Sequence, residues 1–174
     1  MFLLNVFNRS YQTLNYVMFF FVFLIIDQTT KQLIVDSFQI HETINLIPDF
    51  LNLTHVRNPG AAFGVFSDYS PRFRQLVLSA VLLVALSIVI KMFLQDFKQD
   101  KLGRYALVLI FSGAIGNIID RARYGAVIDF IDVFYGDYHW PAFNVADSCI
   151  FLGVLTISLK MLFTPKTKES ELIA

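Results

Sequence analysis

The chain has 174 residues, of which 56% are hydrophobic and 19 are phenylalanine, with a mean hydropathy of +0.58. That is too apolar for an ordinary soluble domain of this length. The formal net charge is zero, so there is no global field of the kind that draws a protein onto nucleic acid or an acidic partner.

Four stretches are apolar and long enough to cross a bilayer, whose core takes about 20 helical residues. The first spans residues 14–33, with Asp27 and Lys31 near its end. Arg9 precedes it, but no small-residue cleavage site follows, so it reads as an uncleaved membrane helix rather than a signal peptide. An outer connection, residues 35–74, comes next. Within it Leu51-Asn-Leu-Thr-His-Val56 alternates apolar and polar side chains, the period of a strand. Asn58-Pro59-Gly60 is a turn signal at its end. Ala61 to Phe66 is small and apolar and is expected to lie against the membrane or the helices.

The second span, residues 75–94, is uncharged until Lys91 and has none of the polar stripes of a soluble bundle. A short polar loop, 95–103, leads to the third span, 105–121. A second outer connection, 122–146, leads to the fourth span, 147–163, which holds the lone cysteine, Cys149, as a small core residue. The tail after Pro165 is expected to fray. Four spans put both termini on one side. Termini inside gives eight basic residues inside against six outside, which favours cytoplasmic termini. One membrane domain, residues 1–174, is expected.

Polar groups in or beside a span are costly and are candidates for function. Asp27 and Lys31 share a helix face, either as a structural ion pair or as part of a site. Gly113 and Gly116 allow close helix approach. Asn117 and Asp120 lie three apart on one face, and Asp120 is suited to tying the helix end to a neighbouring loop. Arg121 offers a planar, permanently charged fork, and Arg123 reads as a snorkelling residue.

The second outer connection gathers Asp129, Asp132, Asp137 and Asp147. If 126–133 is extended, Asp129 and Asp132 face opposite ways. Asp129 lies between Ile128 and Phe130, and Asp137 follows Gly136 as a turn residue. Asn144-Val-Ala-Asp147 has the spacing of a helix cap with an acid at its third position. A pair of close carboxylates can share one proton, activate water against an amide and protonate the leaving nitrogen. The 17 residues between Asp129 and Asp147 make such a pair sterically easy without establishing it. His41, His55 and His139 have no zinc spacing, and no glycine-rich nucleotide loop or nucleophile elbow is present.

Asp27-Gln-Thr-Thr-Lys31, Arg57-Asn-Pro-Gly-Ala-Ala-Phe63, Gly113-Ala-Ile-Gly-Asn-Ile-Ile-Asp-Arg121, Val127-Ile-Asp-Phe130 and Phe143-Asn-Val-Ala-Asp147 occur in this order. Together they resemble the lipoprotein signal peptidases (signal peptidase II) of bacterial inner membranes, over about residues 14–163. Ser112 stands where many relatives are expected to have glycine. The resemblance implies an α-helical membrane protein with four transmembrane helices and a small β-rich periplasmic cradle and mobile flap from the first outer loop. It implies an aspartic endopeptidase using neither metal nor other cofactor. Its substrate is a diacylglyceryl-modified prolipoprotein, cut just before the lipidated cysteine. The matching catalytic pair is Asp129 and Asp147. The supporting positions are Asp27, Lys31, Asn58, Gly60, Asn117, Asp120, Arg121 and Asn144. The expected partners are such substrates and membrane lipids, with no nucleic acid, and the expected state is a monomer with its site on the periplasmic side. Two alternatives are a small proton-coupled transporter, which places acids at mid-membrane, and a non-enzymatic assembly factor, which does not need Asp129 or Asp147.

Overall fold

The computed structural model describes residues 2–60 and 70–163. Residues 61–69 of the first outer connection, which include the apolar stretch from Ala61 to Phe66, and the tail lie outside the described residues. The helices are α1 (Phe2–Ser37), α2 (Pro71–Lys91), α3 (Lys101–Tyr124) and α4 (Val145–Phe163), and the strands are β1 (Thr43–Ile47), β2 (Leu51–Asn58), β3 (Val127–Tyr135) and β4 (Tyr138–His139). All four helices contain a segment long and apolar enough to cross a membrane. Their outward faces are lined by large apolar side chains such as Phe21, Leu76, Leu83 and Phe151, each more than half exposed. In water that exposure would be prohibitive, and in lipid it is the expected solvent face.

The central helix is α3. Half of its apolar segment is buried, against 6% for that of α2. Three glycines explain its close fit. A Cβ on Gly113 would overlap the Ala146 carbonyl, and one on Gly116 would overlap the Asp27 carboxylate. On α4, a Cβ on Gly153 would come within 2.6 Å of the Ala106 carbonyl. Small residues at these positions let backbones approach where hydrophobic exclusion offers little driving force. Ser112 is buried and donates its hydroxyl to the Phe20 carbonyl at 3.1 Å, a bond from α3 to α1 that glycine could not make. The connection before α3 is tight. A π-helical turn, Met92–Asp96, extends α2, and Asp100 caps α3 by accepting the Gly103 N–H at 3.1 Å.

The strands form one antiparallel sheet in the order β1-β2-β3-β4. The cradle therefore comes from both outer connections. The alternating segment of the first becomes β2, and it pairs with β3 from the second, Asn58 opposite Val127 and Leu51 opposite Val133, with a register shift between Leu53 and Val56. Ile128 and Phe130 turn inward to pack with Ile34 of α1, which fixes the sheet against the helix ends. The β3–β4 turn is Gly136-Asp137, with Gly136 at φ 58, the left-handed conformation that a two-residue hairpin requires.

Candidate active site

The site begins with a local event at the start of α4. Asn144 accepts the Asp147 N–H on its side-chain oxygen at 2.8 Å, and Asp147 accepts the Asn144 N–H at 3.3 Å. This is a reciprocal capping box. It spends the Asn144 oxygen and leaves its amide nitrogen free to reach across to β3. There Nδ2 donates to Asp129 Oδ1 at 2.8 Å and to the Ile128 carbonyl at 3.2 Å. A carbonyl can only accept, so the orientation of the amide is fixed. One asparagine thus grips both carboxylates.

Asp129 is 2% exposed. Its second oxygen accepts the Asn58 amide at 3.1 Å. Asn58 is locked in turn, because its own Oδ1 accepts the Gly60 N–H at 2.9 Å. Gly60 has φ +91, a left-handed conformation that favours glycine, and a Cβ there would push against the Leu78 side chain. Burial pushes the Asp129 carboxyl from its ordinary 3.8 up to about 7. The Asn58 amide opposes that rise, the charge of Asp147 adds to it, and Asn144 and Lys31 oppose it. Asp132 faces the other way, bonded to Asn52 at 2.8 Å and His139 at 2.9 Å, and Asp137 is exposed in the turn.

Asp147 is only partly buried. Its Oδ1 accepts the Asn117 amide at 2.8 Å. Asn117 Oδ1 faces Lys31 Nζ at 2.9 Å. An ammonium can only donate, so it sets the Asn117 amide and turns its N–H toward Asp147. Lys31 also bonds Asp27 at 2.9 Å and Asp120 at 2.8 Å. Its three protons therefore meet three acceptors, at 2% exposure.

The two acids of this triad reach further. Asp27 accepts the Ala146 N–H at 2.8 Å, and Asp120 accepts the Ile128 N–H at 3.2 Å. The first bond ties α1 to the start of α4, and the second ties the end of α3 to β3. Gln28, given no role from the sequence, joins the triad by donating to Asp27, Asp120 and the Gly116 carbonyl at 3.0–3.2 Å. Its position inside the Asp27–Lys31 polar run is the signal that could have found it.

Arg121 does not close onto an acid. Its Nη1 donates to the Asn117 carbonyl at 3.3 Å, and its Nε is buried without a partner. The charges of Asp147, Asp120 and Asp129 all act on it. Arg123 bonds Gln32 at 3.0 Å instead of merely reaching for the interface. The arrangement as a whole is one buried and one partly buried carboxylate, each oriented by fixed amides, beside a guanidinium whose Nε has no partner. Such a set can perform general acid–base chemistry on an amide.

Comparison with known proteins agrees with this geometry. The family model described as signal peptidase (SPase) II matches residues 19–163. A lipoprotein signal peptidase from Syntrophus aciditrophicus is 41% identical over 84% of this chain and 91% of its own length. One from Syntrophotalea carbinolica is 45% identical over 74% of this chain and 79% of its own. A solved bacterial membrane enzyme superposes with a TM-score of 0.76 at 33% identity, covering 87% of this chain and 94% of that one. Sequence, helices and sheet all lead to the same place: the chain belongs to the signal peptidase II family of membrane proteases.

Proposed function

We propose that this protein is an aspartic endopeptidase that removes signal peptides from diacylglyceryl-modified prolipoproteins, cutting before the lipidated cysteine, with Asp129 and Asp147 as its catalytic pair. The observation that carries the proposal is the grip of Asn144 on both carboxylates, its side-chain amide on Asp129 and its backbone N–H on Asp147. The protein acts as a monomer among membrane lipids. Its termini are cytoplasmic and its carboxylates lie at the periplasmic surface, where a lipidated cysteine would sit.

The proton is assigned to Asp129, whose buried carboxyl is raised to about 7. Asp147 is assigned the part of base: its carboxylate accepts the Asn144 N–H at the first turn of α4, where a helix favours negative charge. Asp147 takes a proton from water as the water oxygen attacks the scissile carbonyl. Asp129 donates its proton to the departing nitrogen as the C–N bond breaks, leaving a free amine and a carboxylic acid that then ionises to water. The proton on Asp147 then restores Asp129. Arg121, with an unpartnered Nε, stabilises the oxyanion that develops on the carbonyl. Carboxylates gathered at one end of the helices, beside the sheet, disfavour a transporter with acids at mid-membrane.

The test is processing of a diacylglyceryl-modified prolipoprotein by the purified protein in detergent. Asp129→Asn and Asp147→Asn are each expected to lose at least about 10²–10⁴-fold in kcat, the usual worth of a general acid or base, while melting as folded proteins. Wild-type turnover in either folded variant removes that residue from the pair.

A further inference from the structure

At the end of the bundle away from the sheet lies a groove of about 380 Å³ between α1, α3 and the junction of α2 with its π turn. This is within the range of about 300–1,000 Å³ typical of small-molecule sites. Val17, Phe20, Phe21, Val89, Leu94 and Phe111 form much of its wall. Arg104 is the one charged side chain among its described lining residues.

The placement of Arg104 is unusual. Its guanidinium carbon is 4.1 Å from the Phe93 ring centroid and 4.6 Å from that of Tyr16. The two rings hold the group in place but accept none of its N–H bonds. Nε is buried without a partner, and among the described residues no carboxylate forms an ion pair with it. The nearest acid in sequence, Asp100, is taken by Lys160 at 2.8 Å. A partly buried cation without an acceptor is costly. Among the described residues, Lys91, Lys98, Lys101 and Lys160 share this end of the molecule with Asp96 and Asp100, so their summed charge is positive.

We propose that this groove is a binding site for an anionic phospholipid, with one acyl chain along the apolar wall and the phosphate on Arg104. The guanidinium fork matches phosphate oxygens bidentately. The groove is walled by α1 and α2 as well as α3, and only 6% of the apolar segment of α2 is buried. A zwitterionic headgroup would bring its own cation into a region already rich in lysine. A signal-peptide helix would bring the basic n-region that precedes its apolar core toward the same charges, if the termini are cytoplasmic as proposed above. The site is separate from the Asp129–Asp147 centre and does not depend on the catalytic reading.

The experiment uses the full chain in neutral detergent, titrated with phosphatidylglycerol or phosphatidylcholine, with retained lipid read by native mass spectrometry and stability by thermal melting. Wild type is expected to hold phosphatidylglycerol about fivefold more tightly, the worth of one basic group against an anionic lipid, and to melt higher with it. Arg104→Gln is expected to bring phosphatidylglycerol down to the phosphatidylcholine level, and Arg104→Lys to recover part of the preference. Val17→Trp, at a position 45% exposed to lipid, is expected to expel the chain while leaving the lipid-free melt unchanged. It therefore decides the matter even if Arg104→Gln does not fold. A joint Lys98→Gln, Lys101→Gln variant is expected to retain the preference, since the phosphate rests on Arg104. Equal retention of the two lipids by wild type overturns the proposal. So does retention unchanged by Val17→Trp, loss of the preference in the lysine variant, or displacement of the lipid by prolipoprotein substrate.

Discussion

Replacing Lys31 by methionine keeps the length of the side chain and removes its charge. The ammonium has three bonds of 2.8–2.9 Å, to Asp27, Asp120 and Asn117, and is 2% exposed. Asp27 and Asp120 are each 1% exposed. Without the cation, two buried carboxylates face each other with the Gln28 amide as the bridge between them. Removing one partner of a buried ion pair costs about 3–5 kcal/mol. At about 2–4 °C per kcal/mol for a chain of this size, the melting midpoint of Lys31→Met is expected to fall by about 6–20 °C.

A melt in detergent with a fluorescent thiol or tryptophan readout measures this directly. Asp27→Asn added to Lys31→Met removes one of the two uncompensated charges. It is expected to return part of the loss, with a coupling of about 0.5–3 kcal/mol. Activity should fall beyond what unfolding explains, because Lys31 also sets the Asn117 amide that bonds Asp147. Three protons on three acceptors cannot be a mere surface pair. A midpoint shift of about 2 °C or less, the size of a solvated pair worth under 1 kcal/mol, would refute the reasoning.

The acid–base assignment has a pH signature. The Asp129 carboxyl is raised from 3.8 to about 7, so kcat/KM is expected to fall about tenfold per pH unit above about 7, as the donor proton is lost. For stability the sign is set by a folded value above the unfolded one. The Asp129 contribution is full below the unfolded value, 3.8, and disappears as pH rises through about 7. Wild type should therefore lose midpoint between about pH 4 and about pH 7 relative to Asp129→Asn, measured side by side. Packing gives a further test. A Cβ on Gly116 would overlap the Asp27 carboxylate, so Gly116→Ala is expected to cost about 1–3 kcal/mol and to disturb the Ala146 bond that Asp27 makes, read as a lower midpoint together with a lower kcat.

Much of the site was legible because it is built from local rules. The Asn144–Asp147 spacing announces a capping box, and the period of two along 127–135 separates Asp129 from Asp132. Turn chemistry marks Asn58-Pro59-Gly60 and the Gly136-Asp137 hairpin. What the sequence withheld is non-local. Nothing in 51–58 says that its partner is 127–135, some 70 residues away, and the shifted register between Leu53 and Val56 follows from tertiary packing. Asp27 and Lys31 as an i,i+4 pair are worth a few tenths of a kcal/mol. Their weight comes from Asp120, Asn117 and burial, which only α3 supplies. Gln28 escaped notice for the same reason, since two of its three partners lie on α3.

The bonds that hold the carboxylates are also the bonds that assemble the fold. Asn144 caps α4 with its side-chain oxygen, reaches the Asp129 carboxylate on β3 with its amide and holds the Asp147 carboxylate with its backbone N–H. Asp27 anchors α1 to α4, and Asp120 anchors α3 to β3. Truncating any of these leaves a buried donor or acceptor unsatisfied, which costs about 1–3 kcal/mol before any effect on chemistry. Loss of activity at the supporting positions therefore cannot by itself assign a catalytic role. Asp129→Asn and Asp147→Asn are different in kind. The replacement is isosteric: the carbonyl oxygen still accepts one of the two N–H bonds each acid receives, while the other bond and the ability to hold or take a proton are gone. On Asp129 the change also removes the buried charge that Asp147 repels. Near neutral pH this variant should be at least as stable as wild type while failing to cleave. A folded, equally stable and inactive Asp129→Asn separates chemistry from architecture in a site where the two share nearly every hydrogen bond.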